Sequence, residues 1–106
     1  MNSEQSAIET PKLAELQDAI LDAETLERLF RDLELCTKIL GVTPRRARNQ
    51  MVPNVNVTLS DAKVLLASGA ISGLQIRYLY EDVEWWDTLI RMQQGVRLVR
   101  IRHQFE

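Results

Sequence analysis

The sequence predicts an α+β fold: two N-terminal helices and a short third helix, packed on one face of a C-terminal three-stranded antiparallel β-meander. Three observations carry this. Apolar residues recur at helical spacing from Leu13 to Leu40. A brief apolar stretch between Ser60 and Gly69 has helix start and stop residues at its ends. From Ile71 to Phe105 the pattern changes to period-two alternation, rich in β-branched and aromatic residues and broken twice by turn residues.

With 106 residues and 45% of them hydrophobic, the chain suits one domain with its own core. One cysteine excludes an internal disulfide. One cysteine and one histidine are too few for a standard zinc site, and no cofactor is expected. The start, Met-Asn-Ser-Glu-Gln-Ser, has neither the basic nor the apolar region of a signal peptide. The longest apolar runs, such as Val64-Leu65-Leu66-Ala67, fall far short of the roughly 20 residues that span a bilayer. A cytoplasmic protein without membrane contact is expected. The net charge of −2 is uneven: residues 1–40 hold nine acids and four bases, residues 41–70 one acid and four bases, and residues 71–106 five of each. The total implies no general affinity for nucleic acid.

Residues 1–9 are polar and without period, and read as a disordered tail. Thr10-Pro11 then supplies an N-cap and a first-turn proline, opening a helix over about 11–22 with Leu13, Leu16, Ile20 and Ala23 on one stripe. The phase slips before Leu26, so a second helix runs over about 24–40, with Asp22 as a candidate N-cap. Its stripe is Leu26, Leu29, Phe30, Leu33, Cys36 and Leu40, with Gly41 as left-handed C-cap and Pro44 as the stop. Residues 43–57 are irregular. Ser60 caps a helix over about 61–68, closed by Gly69.

The strands are expected at about 72–80, 85–92 and 96–103. A three-residue loop Glu81-Asp82-Val83 and a two-residue loop Gln94-Gly95 pair Tyr78 with Trp86, and Trp86 with His103. Leu74, Ile76, Tyr78, Tyr80, Trp86, Thr88, Ile90, Met92, Val99, Ile101 and His103 then face the helices. The outer face carries Gln75, Arg77, Leu79, Trp85, Asp87, Leu89, Arg91, Leu98, Arg100 and Arg102, with Asp87 opposite Arg102. Trp85 and Trp86 must point to opposite faces, and a one-residue slip would exchange their roles.

Arg77, Leu79, Trp85, Leu89, Arg91, Leu98, Arg100 and Arg102 are thus the candidate partner-binding residues. Arginine forks carboxylates and tryptophan brings a large apolar area, the residue types enriched where proteins meet. The occupant is a protein partner, a second copy in a homo-oligomer, or the chain's own acidic N-terminal helix. The function expected is that of a non-catalytic accessory or regulatory protein acting through protein–protein contact, as a homodimer or a subunit of a larger complex.

Two alternatives are drawn from other segments. Residues 37–48, Thr-Lys-Ile-Leu-Gly-Val-Thr-Pro-Arg-Arg-Ala-Arg, resemble the turn of helix-turn-helix DNA-binding proteins, in which glycine permits the sharp turn before a recognition helix. The resemblance implies a DNA-binding regulator with Arg45, Arg46 and Arg48 toward the nucleic acid. It departs from the pattern at Thr37, where a small apolar residue is usual, and at Pro53, which cuts the second helix short. The other alternative is a small enzyme sited at the acidic turn formed by Glu81, Asp82, Glu84 and Asp87. Those acids lack the spacing of a calcium loop. His103 has no nucleophile near it in sequence, and Cys36 on an apolar stripe behaves as a small hydrophobe.

Overall fold

The computed structural model describes residues 16–46 and 57–103. Among them are five strands and two helices in the order β1 (Leu16–Leu21), α1 (Ala23–Cys36), β2 (Lys38–Arg45), α2 (Leu59–Ser68), β3 (Gly73–Tyr80), β4 (Val83–Met92) and β5 (Gly95–His103). All five strands form one antiparallel sheet in the order β1-β5-β4-β3-β2. The fold is α+β, but the expected three-helix domain with a three-stranded meander is wrong in two places. The meander β3-β4-β5 is the centre of a wider sheet, and each of its outer strands gains a further neighbour.

The first correction concerns the expected helix over 11–22. Residues 16–21 are a strand, pairing Ala19 with Leu98 and Leu21 with Val96. Leu16 and Ile20 are four apart and satisfy a helical stripe. Alternation decides instead, because Leu21 is buried while Ile20 lies half exposed on the other face. Asp22 ends the strand and caps α1, its carboxylate accepting from the Thr25 N–H at 2.8 Å. The residues expected to form the tail and the start of that helix lie outside the described residues.

The second correction concerns the expected helix over 24–40. It stops at Cys36, where the Thr37 hydroxyl and N–H both donate to the Leu33 carbonyl. Lys38–Arg45 then runs as an edge strand along β3, so Gly41 is no helix cap. The register slips between Ile39 and Gly41, leaving Leu40 as an extra residue. Pro44, with no N–H to donate, suits an edge.

α2 begins one residue after Thr58, whose hydroxyl accepts from the Asp61 N–H; this cap, rather than Ser60, opens the helix. It ends at Gly69 in the left-handed conformation (φ 86°), where the Gly69 and Ala70 N–H groups close onto the carbonyls of the last turn. No helix among the described residues is long and apolar enough to cross a membrane.

The turns between the central strands decide which face each side chain takes. β3 and β4 are joined by Glu81-Asp82 alone, both at positive φ (53° and 67°), with Tyr80 paired to Val83. That is a two-residue mirror-image hairpin turn. The expected three-residue loop was one residue too long, so β4 and β5 turn over relative to β3. Between β4 and β5 the loop is Gln93-Gln94, with Met92 paired to Gly95. Trp86 pairs with Ile101 instead of His103, two residues from the register that the expected Gln94-Gly95 loop sets, and the even shift keeps faces unchanged. Gly95 itself holds φ 149°, and a Cβ there would collide with the Leu21 carbonyl oxygen.

Both helices pack on one face. The core there joins Phe30 and Leu33 of α1, Leu59, Ala62 and Leu66 of α2, and Leu74, Ile76, Tyr78, Trp85, Leu89 and Leu98 of the sheet. Fully burying one such side chain contributes about 1.5–3 kcal/mol.

Candidate interaction face

The candidate residues divide between the two faces. Trp85, Leu89, Leu98 and Arg100, expected outside, are buried beneath the helices. Arg102 shares their face, with Trp85 as its cross-strand partner. Arg91 also lies on the helix side, at its rim. Its Nη1 donates to the Leu66 carbonyl at 2.6 Å and the Ala67 carbonyl at 3.4 Å, placing a cation at the C-terminal end of α2, whose own last turn has none. Of the eight expected partner-binding residues, only Arg77 and Leu79 remain on the uncovered face.

The buried face holds its own polar group. Asp87 accepts from Arg100 Nε and Nη2, both at 2.8 Å, and from the Tyr78 hydroxyl at 2.9 Å. The expected Asp87–Arg102 pairing is therefore replaced by Asp87–Arg100, two residues along β5. Burial, and next the charge of Asp87, push the Tyr78 hydroxyl well above its ordinary range, so it stays a donor. Burial works against the Arg100 charge, but the hydrogen bonds and charge of Asp87 outweigh it and hold its value above the ordinary one.

The uncovered face is a lattice fixed by the strand register. One row across it is Ile20, Arg97, Ile90, Gly73 and Arg45. The next is Asp18, Val99, Thr88, Gln75 and Thr43. The third contains Ile101, Trp86, Arg77 and Gly41, and the fourth His103, Glu84, Leu79 and Lys38. Ile20 is 49% exposed, Ile101 48%, Met92 40% and Ile90 39%, so large aliphatic groups stand in solvent together on β1, β5 and β4. Arg97 stands between Ile20 and Ile90, while Ile90, Met92, Trp86, Val99 and Ile101 occupy neighbouring positions of β4 and β5. An apolar group of this kind marks a contact surface more often than an isolated exposed leucine does.

Two of its polar groups are engaged within the plane. Arg97 grips Asp18 with Nε and Nη2 at 3.0 and 2.7 Å. That hydrogen bond holds the Asp18 carboxyl below its ordinary value. Trp86 is the centre of a second group. Its indole N–H donates to Glu84 at 2.7 Å, and its ring stacks on His103 with centroids 4.7 Å apart and planes 7° from parallel. The Arg77 guanidinium lies 6.0 Å from the Trp86 ring centroid and 3.9 Å from Glu84. Gly41 makes room for it: a Cβ at that position would sit 2.7 Å from Arg77 Nη2.

The helix-turn-helix likeness has no helical counterpart here, since residues 38–45 are a strand. Arg45 ends that strand, Arg46 is exposed just after it, and Arg48 lies outside the described residues. The acidic turn also disperses. Glu81 and Asp82 are exposed at its tip, Glu84 joins the Trp86 group, and Asp87 is buried with Arg100. No cluster of three His, Cys, Asp or Glu suited to a metal ion occurs among the described residues. His103 stacks on Trp86 as a neighbour, but on the uncovered face instead of the packed one. Cys36 is exposed, not packed. Between α1 and α2 a groove runs past Phe30 and Leu59, with the Glu27–Lys63 ion pair among its lining residues.

Sequence reasoning missed Ile20, Trp86, Ile90, Met92, Val99 and Ile101 as surface residues. For the five on β4 and β5 the signal was the length of the Glu81-Asp82 turn, two residues instead of three; Ile20 lies on β1, which the helical spacing of Leu16 and Ile20 hides. Comparison with protein-family models, with curated proteins and with solved structures gives no match to this chain.

Proposed function

We propose that this chain is a non-catalytic accessory or regulatory protein of the cytoplasm that works through protein–protein contact at the uncovered face of its sheet. The observation that carries the reading is the exposed set Ile20, Ile90, Met92 and Ile101 around half-buried Trp86 and Val99. A single sheet with helices on one side leaves its other face to solvent or to a partner. Antiparallel sheets tolerate water on one face when that face alternates to polar residues. Here the β1-β5-β4 half sets Ile20, Ile90, Met92, Val99, Ile101 and Trp86 among Asp18, Glu84, Thr88, Arg97 and His103. Burying its apolar groups gains about 25 cal/mol per Å² of apolar surface.

The test is association with and without this surface. Ile90→Lys with Ile101→Glu places two charges in the patch at positions already in solvent, so the fold is retained. Affinity capture from the native host, and self-association of the purified chain, are compared between wild type, this double variant and a helix-side control, Glu34→Lys. Loss of association in the double variant alone is the expected result. Association unchanged by it overturns the reading.

A further inference from the structure

We infer that the occupant of the uncovered face is a second copy of this chain, stacked sheet against sheet about a two-fold axis along the row Val99–Thr88–Gln75. The inference rests on the reading above that this face meets protein. The assembly has four layers, with helices outside and two five-stranded sheets within.

The first argument is area. Five strands about 4.8 Å apart and eight residues long at about 3.3 Å per residue present a footprint of about 600 Å². Two copies together bury about 1,200 Å², which reaches the range of stable, specific interfaces.

The second is charge. The ionic groups nearest the apolar half are already answered in their own plane, Asp18 by Arg97 and Glu84 by Arg77 and the Trp86 N–H. About that two-fold axis, Asp18 meets its own counterpart, so each copy's Asp18–Arg97 pair must stay closed for the contact to avoid the penalty that burying an unpaired ion carries. Free cationic groups suited to a polyanion are not what this half displays.

The third is the supply of cover within the chain. The helices are spent on the opposite face. Residues 1–15, ahead of β1, contain only Met1, Ile8 and Leu13 as large apolar side chains, fewer than the Ile20, Ile90, Met92, Ile101 and Trp86 they would have to cover. The segment between β2 and α2 adds Met51, Val52 and Val55, and Phe105 follows β5.

Shape places the axis. On β5 and β4 the row Val99–Thr88–Gln75 is made of smaller side chains, Val99 and Thr88, than the rows flanking it, Arg97 and Ile90 on one side and Ile101 and Trp86 on the other. An axis along this shallow trough sets Ile90 of one copy over Trp86 of the other, and Thr88 over its own counterpart. Sheets packed this way lie about 10 Å apart with interdigitating side chains.

The experiment combines mass and proximity. Light scattering on the purified full chain at about 10 μM should give a dimeric mass, and Ile90→Lys with Ile101→Glu should give a monomer with an unchanged far-ultraviolet spectrum. In a Cys36→Ser background, Thr88→Cys should be joined to a second copy by a short bismaleimide, while Glu27→Cys on α1 should not. A monomeric wild type, a dimer indifferent to the double variant, or cross-linking through Glu27→Cys in place of Thr88→Cys overturns the inference. If the wild type is monomeric but capture of another protein still depends on Ile90 and Ile101, the self-association is refuted and the interaction reading stands. Loss of both refutes both.

Discussion

Arg100 on β5 lies directly across from Asp87 on β4 and holds both of its carboxylate oxygens, at 2.8 Å each, in the layer between sheet and helices. Neither side chain has meaningful access to water (3% and 0% exposed). Tyr78, from the next strand, completes the coordination of the carboxylate. Three strands of the sheet are thus tied by one buried polar group.

Breaking the pair from one side should be costly, because it strands the other charge in the core. Asp87→Ala or Arg100→Ala should each destabilise the fold by about 3–5 kcal/mol. Asp87→Leu with Arg100→Met, which removes both charges, should recover most of that loss. Chemical denaturation of the two single variants and the double variant gives the comparison.

The Glu81-Asp82 turn holds two non-glycine residues at positive φ. Left-handed backbone costs such residues about 1–2 kcal/mol each, less for Asp. Glu81→Asn with Asp82→Gly fits the same turn without that strain. It should raise stability by about 1 kcal/mol, read as a higher denaturation midpoint with an unchanged slope. A lower midpoint would mean that the hairpin does not use a two-residue turn.

Acid should weaken the fold through two surface carboxylates. The Thr25 N–H holds Asp22, and the Arg97 side chain holds Asp18, below the ordinary value of 3.8. A folded-state value below the unfolded one contributes stability that is fully present above the unfolded value. It is lost as pH falls through the folded value. Melting temperature should therefore be insensitive to these groups near neutrality and should fall below the ordinary carboxylate value. Asp22→Asn keeps a capping oxygen but cannot titrate, so its acid loss should be shallower than that of wild type.

The two adjacent tryptophans should behave unlike one another. Trp85 is 4% exposed among Leu98, Leu89 and Tyr78 of the core, and Trp85→Ala should cost about 3–5 kcal/mol. Trp86→Ala removes the ring that His103 and Arg77 rest against. It should cost much less stability and act mainly on association. Thermal melts at a concentration low enough to keep the chain monomeric separate the two effects.

The central meander was legible because its residues alternate strictly and its breaks fall on polar turn residues. Gly69 and the cap at Asp22 were legible from their own chemistry. β1 was not: Leu16 and Ile20 stand four apart, and nothing local distinguishes that spacing from one helical turn. β2 was hidden by Gly41 and Pro44, which read as a helix stop but serve a bulged edge strand, the glycine lying beneath Arg77. The faces were misassigned for a single reason. Glu-Asp lacks the Asn-Gly signature of a mirror-image turn, so the sequence predicts a loop one residue longer than the structure has, and every side chain of β4 and β5 lies on the side opposite to that expectation. With them, the candidate surface moved from Trp85, Leu89, Leu98 and Arg100 to Trp86, Ile90, Val99 and Ile101.

The central claim, that one face of this sheet is sealed and the other open with Trp86 upon it, is tested most directly by single-tryptophan fluorescence. Trp86→Phe leaves only Trp85, and Trp85→Phe leaves only Trp86. In dilute solution, Trp85 should emit at shorter wavelength and resist acrylamide quenching, while Trp86 should emit at longer wavelength and be readily quenched. The reverse assignment, or equal protection of both rings at every concentration, would contradict the account.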